Sequence, residues 1–259
     1  MSRVVSGKAE LLACYQSLGK GDVIKGRIPL KPGEEHLLLD LTARQVHMIP
    51  SATSQLAGRS KAFQAKILAQ WMIPHTTVIY DTHQLLETSN DYHRNNIGKV
   101  ILKQERKNAG IGILLYNSIE DIYNQAAHNI LSYPFVLQPY LPECSDMRVV
   151  ILDEYIEAYT RCNPYSFRNN MHCGGESQSC ILSPVVRRFC SEIMNRAGFP
   201  YGHLDIMVQP DGQLYLAEIN LRGGIRGARI GKKDYRRRVA EIEEKLVRQF
   251  LEKHQNASE

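Results

Sequence analysis

Three oxygen-bearing side chains, those of Asp205, Glu218 and Asn220, interrupt the apolar pattern of the sequence YGHLDIMVQPDGQLYLAEIN. Side chains on a strand alternate between its two faces, so Glu218 and Asn220 share one face. Like charges that lie opposite each other destabilise a sheet, and a set of oxygen ligands suits Mg²⁺ or Mn²⁺ with substrate phosphates completing the shell. These side chains, here called the metal triad, predict a metal site; the alternative is a solvated sheet face.

The pairing of the two strands decides whether the two carboxylates meet. The segment Pro-Asp-Gly-Gln at 210–213 predicts a hairpin loop, because proline presets φ and glycine accepts a positive φ. Gln209 then pairs with Leu214, and counting outward in antiparallel register places Asp205 directly opposite Glu218.

Composition predicts a soluble globular enzyme of one or two lobes, since the chain has 259 residues, 43% of them hydrophobic and 23% charged. No run approaches the roughly 18 apolar residues that cross a bilayer, and the N-terminal sequence lacks a targeting pattern, so we expect a cytoplasmic protein with no membrane partner. The six cysteines form no CxxC pair, which favours reduced thiols over disulfides or a zinc site. Much of the net charge of +5 lies in LRGGIRGARIGKKDYRRR, which suggests an anionic ligand.

Hydrophobic spacing predicts the elements that position these groups. His36–Asp40 reads as a strand, and SKAFQAKILAQWM, from Ser60, has helical spacing that ends before Pro74. KVILKQ and GIGILLY flank a small turn, and the hairpin they predict places Lys103 beside a glycine-containing loop that can close over phosphates.

The second half of the chain alternates strands and helices. FVLQPYL, MRVVIL and EYIEAYTR predict an antiparallel set, which indicates an α+β lobe. Ser183 and Pro184 begin a helix that Gly198 ends, and the charged segment 234–254 predicts a final helix with a solvated face.

These motifs, in this order, resemble the ATP-grasp superfamily. The chain has a lysine at the head of a helix (Lys61), a second lysine before a glycine loop (ILKQERKNAGIG), a strand ending in a hinge (FVLQPYLPECSDMR), the block SFRNNMHCGG and the ending LDIMV…LYLAEIN. FRNNMHCGG is similar to the FRSNxHRGG stretch of the ligases that add glutamate to ribosomal protein, the RimK-like group. The resemblance runs from Ser60 to Gly227.

The resemblance implies an α+β ATP-grasp fold in which two α+β lobes grip ATP. It divides the chain into a reduced N-terminal region at 1–58, an N-terminal lobe at 59–134, and a C-terminal lobe at 135–259 that includes the C-terminal helix. The group usually has a fuller N-terminal domain. We therefore expect the acceptor side of the cleft to be reduced, or to be supplied by another subunit of a homo-oligomer.

The resemblance also implies which residues bind the nucleotide. Lys61 and Lys103 become the phosphate-contacting lysines, a role that suits a compact ammonium charge. Gln138 and Tyr140 fall at the hinge whose backbone reads the adenine edge, and Asp146 falls where the group has an acid near the ribose.

Further matches concern the transferred phosphate. Arg168 and Asn170 match residues that face it, and the metal triad matches the Asp…Glu-x-Asn ending of the group. Arg148 and Arg161 either assist there or are solvated strand residues. His172 either relays a proton from the amine or only hydrogen-bonds backbone.

Two positions depart from the pattern of the group. Pro139 stands where the group usually has Glu, which removes a backbone donor from the hinge. After Glu-x-Asn the group has a small residue, Ser and Pro, whereas this chain reads LRGGIR. Arg222 and Arg226, with the paired glycines and the following Arg229, predict a bidentate clamp for a carboxylate; a basic turn without a ligand is the alternative.

The reaction that the resemblance implies is carboxylate activation by ATP and Mg²⁺, followed by attack of an amine and formation of an amide. One alternative is a kinase on the same scaffold, which phosphorylates its substrate and stops there. Another is a basic adaptor that binds nucleic acid or a protein through GKKDYRRR and has a vestigial nucleotide site. Tyr235 is the one aromatic residue in that run. The run therefore offers few rings on which bases could stack, and nucleic acid is not the expected partner.

Overall fold

Three β-sheets organise the chain in the computed structural model, which describes residues 2–107, 110–169, 171 and 174–256. The first is a three-stranded parallel sheet near the N-terminus. The second has four strands and the third has five, and every strand pair in these two sheets is antiparallel. Most of the site residues predicted from the sequence lie on the second and third sheets and on the segments that follow their strands, whereas Lys61 lies on a helix.

The N-terminal unit alternates strands and helices around the parallel sheet, in the order β1-β2-β3. Its elements are β1 (Val4–Ser6), α1 (Lys8–Cys14), a 3₁₀ turn (Tyr15–Ser17), β2 (Val23–Lys25), α2 (His36–Ala43) and β3 (His47–Ile49). Apolar side chains from these three strands and from α1 and α2 form one buried cluster. Two further helices, α3 (Ala52–Ala57) and α4 (Lys61–Ile67), connect this unit to the rest of the chain.

The strand predicted at His36–Asp40 is wrong, because this segment is the first part of helix α2. Leu38 and Leu41 lie three residues apart and are buried, whereas Leu39 is 70% exposed. This spacing is helical, since residues three apart share a helix face. A run of three leucines does not distinguish the two periods, which is why the sequence was ambiguous here.

The four-stranded sheet has the order β4-β7-β5-β6. Its strands are β4 (Thr77–Ile79), β5 (Val100–Gln104), β6 (Ile113–Tyr116) and β7 (Phe135–Pro139), and helices α5 (Thr82–Arg94) and α6 (Ile119–Ala127) pack on it. A 3₁₀ turn at Ala69–Trp71 precedes β4. The predicted β5–β6 hairpin is confirmed, with Lys103 opposite Ile113.

Strand β7 was predicted to pair with the two strands that follow it, and this prediction is wrong. β7 pairs instead with β4 and β5, so Leu137 lies opposite Thr77 and Leu102. Four of its five residues are buried, which suits an inner strand of a sheet. The four-stranded sheet therefore extends past the predicted boundary at residue 134, and the chain crosses to the next sheet directly after Pro139.

The five-stranded sheet has the order β10-β9-β8-β11-β12. Its elements are β8 (Ser145–Leu152), β9 (Tyr155–Cys162), β10 (Glu176–Cys180), α7 (Pro184–Ala197), β11 (Tyr201–Val208), β12 (Leu214–Asn220) and the final helix α8 (Lys232–Asn256). The predicted start and end of α7 are confirmed: Ser183 accepts from the Val186 amide, and Gly198 adopts a left-handed conformation.

The β11–β12 hairpin pairs Asp205 with Glu218, as the sequence predicted. Near the turn the predicted register is wrong by one residue, because Val208 pairs with Leu214. A β-bulge between these points places one extra residue, Ala217, on β12 and so restores the predicted pairing at the acids.

Helix α4 lies where the sheets meet, in contact with β4, β7 and β12. Ala62 and Ala65 are buried on it, and these small side chains allow the backbones to approach closely. Helix α8 connects the first and third sheets, since Val247 packs with Val23 and Ile49. Within the described residues, no helix combines the length and the apolar character that a membrane crossing requires.

Candidate functional site

Two lysine ammonium groups line the same narrow cavity between the four-stranded sheet and β12. Lys103 Nζ reaches across from β5 and donates to the carbonyl oxygen of Ala217, at 3.1 Å. Ala217 is the extra residue of the bulge, so its position outside the regular ladder makes its carbonyl available. Burial, assisted by the Lys61 charge, lowers the pKa of Lys103 to about 8 despite the carboxylates of Glu218 and Asp205.

Lys61 lies at the first position of α4, as predicted, because Ser60 caps the helix by accepting from the Phe63 amide. Its side chain is buried, and Nζ donates to the Lys107 carbonyl at 2.7 Å. Lys107 belongs to the connection between β5 and β6, here called the glycine loop, of which the structure describes residues 105–107 and 110–112. Glu105 of the same loop accepts from the Ala62 amide at 2.6 Å and so binds the N-terminus of α4.

Arg168 holds the glycine loop from the opposite side. Its Nε lies 3.2 Å from the Gly110 carbonyl oxygen and 3.0 Å from that of Ile113. The structure therefore brings Arg168 and Lys61 to the same loop, although the sequence separates them by more than a hundred residues. Asn170 and His172, the other residues predicted in this segment, lie outside the described residues.

At the hinge, Gln138 is buried and its side-chain Nε2 has no hydrogen-bond partner in the described part of the chain. The Tyr140 amide donates to the Lys99 carbonyl at 2.9 Å, and Pro139 has no amide hydrogen. Neither position 139 nor position 140 therefore offers a free backbone N–H to an adenine ring. The side-chain Nε2 of Gln138 is therefore the hinge donor that is left without a partner in the described part of the chain.

Four charged side chains form a buried network on β8, β9 and β11. Arg148 Nε and Nη2 donate to the two carboxylate oxygens of Asp205 at 2.6 and 2.7 Å, and Arg161 Nη2 lies 3.2 Å from Asp205 Oδ2. Arg161 also donates to Asp146 Oδ1 from Nε at 2.9 Å. The residues of this Asp–Arg network are Asp146, Arg148, Arg161 and Asp205, with two positive and two negative charges.

Burial opposes ionisation of Asp205, but Arg148 and Arg161 outweigh it and hold the pKa of this carboxyl well below its usual range. Burial raises the pKa of Asp146, and the neighbouring Asp205 charge adds to that effect while Arg161 counteracts it. Asp146 was predicted to lie near the ribose. In the structure its side chain is bound to Arg161, and its position near the ribose stays a prediction.

The remaining members of the metal triad have different surroundings. Glu218 lies opposite Asp205, and Asn220 lies opposite His203 on the same face. Neither side chain makes a hydrogen bond or ion pair with another described residue, so their oxygen atoms are available to a ligand. Across the described residues, no group of three or more His, Cys, Asp or Glu side chains is arranged to hold a metal ion.

The three predicted arginines in the segment after β12 have different surroundings. Arg222 is exposed and has no hydrogen bond or ion pair among the described residues. Arg226 Nη1 donates to the Met171 carbonyl at 3.3 Å, so Arg226 contacts the segment near Arg168. Arg229 belongs elsewhere, because its backbone amide donates to the buried Glu157 at 2.5 Å.

Sequence analysis missed Gln64 and His203. The Gln64 amide pairs with both main-chain groups of Ile219, at 2.9 and 3.0 Å, and so joins α4 to β12. His203 lies two residues before Asp205 on the same face, and its Nε2 is 2.9 Å from Tyr235 Oη. Burial lowers the pKa of His203 to about 4. Strand alternation could have indicated His203, but no local pattern indicates Gln64.

Comparison with protein families identifies one domain. The model of the RimK-like ATP-grasp domain matches residues 58–248. The coenzyme gamma-F420-2:alpha-L-glutamate ligase of Methanococcus maripaludis is 28% identical over 180 residues, which cover 65% of this chain and 59% of that protein. A probable alpha-L-glutamate ligase 2 of Hahella chejuensis is 26% identical over 189 residues, 70% of this chain and 61% of that protein. The chain thus spans about three fifths of the length of these relatives.

Solved structures share the fold at low sequence identity. D-cycloserine synthetase DcsG has a TM-score of 0.62 and 14% identity, with 96% of this chain and all of that chain (100%) covered. The ADP complex of the N5-carboxyaminoimidazole ribonucleotide synthetase purK has a TM-score of 0.60 and 11% identity, with coverage of 88% and 65%. These likenesses confirm the predicted α+β ATP-grasp fold.

Proposed function

Because the chain belongs to the RimK-like ATP-grasp family, we propose that it joins a carboxylate to an amine at the expense of ATP. One observation carries this proposal. Lys103, the predicted phosphate contact on β5, donates across the cavity to Ala217, the residue before Glu218 of the metal triad. The bond joins the lysine predicted to contact phosphate to the strand that carries two of the predicted metal ligands, and this contact supports the proposal.

In the proposed nucleotide site, Lys61 and Lys103 exchange carbonyl oxygens for phosphate oxygens. A hydrogen bond between two charged groups is stronger than one to a neutral carbonyl, so the exchange favours binding. Release of the Lys107 carbonyl by Lys61 also frees the glycine loop to cover the phosphates. Gln138 and Tyr140 remain the proposed hinge residues, with the unpaired Gln138 amide as the donor that the hinge backbone lacks.

The oxygen donors of the metal triad fit Mg²⁺ or Mn²⁺ in chemical type. Glu218 and Asn220 would hold the ion with their unengaged oxygens, and Asp205 would join them where Arg148 and Arg161 release it. A cation held there supplies positive charge that offsets the charge of the phosphates. The residues of the chain proposed to act on the same charge are Lys103, Arg168 and Asn170.

The proposed reaction has two steps. A carboxylate oxygen of the acid substrate attacks the γ-phosphorus, the bond to the β–γ bridging oxygen breaks, and ADP leaves. The amine nitrogen then attacks the acyl carbon, the carbon–oxygen bond to phosphate breaks, and the amine loses a proton. Positioning and electrostatic stabilisation by lysine and arginine side chains suffice for both steps, so no protein nucleophile is required.

The names of the two curated relatives specify alpha-L-glutamate as what they ligate. We propose that this chain likewise takes a substrate with a carboxylate near Arg222 and Arg226. Because the reaction consumes ATP, we propose the cytoplasm as its compartment. A homo-oligomer that completes the acceptor side of the cleft stays a prediction.

The proposal is tested by incubating the purified protein with ATP, Mg²⁺ and pools of acids and amines, while ADP and new masses are followed. A ligase forms an amide mass, with sustained release of ADP, only when both an acid and an amine are present. A kinase accumulates a phosphorylated product in the absence of amine. An adaptor releases no ADP with any pool.

A further inference from the structure

Arg27 of the N-terminal unit lies close enough to Arg222, in the segment after β12, for the two charges to interact. Arg27 follows β2, the central strand of the parallel sheet, after Gly26, whose positive φ of 91° turns the chain. Arg222 follows β12 by two residues. The loops beyond the carboxyl ends of parallel strands are where α/β sheets generally bind ligands.

The dipeptide Gly58-Arg59 contacts both of these segments and fixes their separation. Arg59 Nη1 donates to the Leu30 carbonyl at 3.1 Å, and Nη2 donates to the Ile28 carbonyl. A Cβ placed on Gly58 would lie 3.5 Å from the amide nitrogen of Leu221. One rigid connection therefore holds the residue after Arg27 and the residue before Arg222.

Two further contacts hold the segment that carries Arg27. The Ile28 amide donates to Gln55 Oε1 at 2.8 Å, and Gln55 is itself buried. A Cβ on Gly26 would lie 3.6 Å from Glu243 Oε2 on helix α8. The backbone that presents Arg27 to Arg222 is thus fixed by the N-terminal unit and by the C-terminal helix.

Neither guanidinium is held by a hydrogen bond or an ion pair to a described residue. Arg27 and Arg222 are exposed, and neither makes a hydrogen bond or an ion pair there. The buried carboxylate of Glu243 on α8 interacts electrostatically with Arg222, but its hydrogen bond comes from Tyr201 Oη. Partial burial, followed by the Arg222 charge, lowers the pKa of Arg27.

Two like charges held together on fixed backbone cost free energy when no anion lies between them. Isolated surface arginines relieve such repulsion by turning into solvent, but Arg27 is close enough to Arg222 for the two charges to interact. The Arg59 guanidinium also interacts with Arg27, while Glu34 and Glu35 offset part of the Arg59 charge. An arrangement of this kind is typical of a site that binds an anion.

We propose that Arg27 and Arg222 together bind a carboxylate of the acid-bearing substrate, at a site between the N-terminal unit and the segment after β12. The inference rests on the proposed ligase function and deepens it, because it names the substrate class and a second binding residue. A guanidinium pairs with a carboxylate through two parallel hydrogen bonds, so two of them select a carboxylate over its neutral amide.

The test compares binding of L-glutamate, L-aspartate and succinate with binding of L-glutamine, by calorimetry in the presence of Mg²⁺ and a non-hydrolysable ATP analogue. The wild-type protein binds at least one of the carboxylates more tightly than L-glutamine. Arg27→Gln and Arg222→Gln each weaken that carboxylate about ten- to a hundredfold, the usual effect of losing a charge-assisted hydrogen bond. Arg27→Lys and Arg222→Lys keep the charge but cannot form two parallel hydrogen bonds with a carboxylate, so they give intermediate losses of affinity.

Arg188→Gln is the matched control, because Arg188 is an exposed arginine on α7 that makes no hydrogen bond or ion pair with a described residue. It leaves every affinity unchanged. The melting temperature of ligand-free Arg27→Gln does not fall, since the side chain it removes makes no bond. All variants retain wild-type affinity for the nucleotide analogue.

Equal affinities of the wild-type protein and Arg27→Gln for the carboxylates overturn the proposal, as does the absence of carboxylate binding by the wild-type protein at millimolar concentration. The two proposals fail in distinguishable ways. If amides form but Arg27→Gln changes neither binding nor turnover, the carboxylate site is wrong and the ligase stands. If carboxylate binding depends on Arg27 but no pool yields an amide, the site stands and the ligase is wrong.

Discussion

Asp205 on β11 and Arg148 on β8 lie directly opposite each other, and Arg148 donates to both carboxylate oxygens of Asp205 at 2.6 and 2.7 Å. The Arg148 side chain is only 15% exposed and the Asp205 side chain 12%. The sequence predicted that a cation must offset the charge of Asp205. In this structure guanidinium groups supply that charge, and any metal ion that engages Asp205 must compete with them.

Replacing Arg148 by Met is expected to destabilise the protein by about 3 kcal/mol, because removal of one partner leaves a buried charge incompletely compensated. Arg161 still contacts Asp205 and limits the loss. Chemical denaturation measures the change in the free energy of unfolding, with Arg188→Met as the control on an exposed site. A change below about 0.5 kcal/mol, the size usual for surface substitutions, would show that the pair contributes little.

Lys103→Ala is expected to remove most of the rise in melting temperature that Mg-ATP produces. Ligand at a hundred times its dissociation constant stabilises a protein by about 2.7 kcal/mol, and loss of a phosphate contact reduces that gain. Lys20→Ala, at an exposed lysine of the N-terminal unit, serves as the control and keeps the full rise. Equal stabilisation of wild type and Lys103→Ala would remove Lys103 from the nucleotide site.

The affinity for Mg-ATP is expected to fall as the pH rises above 8. Burial lowers the pKa of Lys103 to about 8, so its ammonium loses its proton there in the free protein. Phosphate binds the protonated form, and linkage then requires proton uptake on binding at pH 8 to 9. Calorimetry in two buffers of different ionisation enthalpy measures that uptake. A wild-type protein and a Lys103→Ala variant with the same uptake would contradict the assignment.

Glu218→Gln is expected to abolish turnover while leaving the ligand-free protein at least as stable as wild type. The substitution keeps volume and removes one negative charge from the metal triad, and Glu218 has no hydrogen bond or ion pair to lose within the described residues. ADP release and thermal melting of the same preparation measure both effects. A strongly destabilised variant would identify Glu218 as a structural partner instead of a metal ligand.

Local patterns allowed the sequence to predict the β11–β12 hairpin, but not all of its register. Alternation and a Pro-Asp-Gly-Gln turn gave the pairing of Asp205 with Glu218, which is confirmed. The bulge at Ala217 has no sequence signal, because an extra residue in a strand is stabilised by its tertiary contacts. Here that contact is the hydrogen bond from Lys103.

Other features depend on contacts between distant residues and could not be read from the sequence. Strand β7 pairs with β5 and β4 because of the arrangement of a whole sheet, whereas spacing along the chain favoured the strands that follow it. The hydrogen bonds of Gln64 to Ile219 span 155 positions. Arg27 gave no signal at all, since its proximity to Arg222 depends on the tertiary arrangement of the N-terminal unit and the segment after β12.

Transfer of the γ-phosphoryl group to a carboxylate is tested most directly by isotope labelling. The protein is incubated with ATP, Mg²⁺, a pool of acids whose carboxyl oxygens carry ¹⁸O, and a pool of unlabelled amines. The released phosphate is then analysed by mass spectrometry. We predict that one labelled oxygen appears in the phosphate for each amide formed, because the acylphosphate oxygen comes from the carboxylate and leaves with phosphorus. Amide formation with unlabelled phosphate, or ADP release with no amide in any pool, would contradict an acylphosphate ligase.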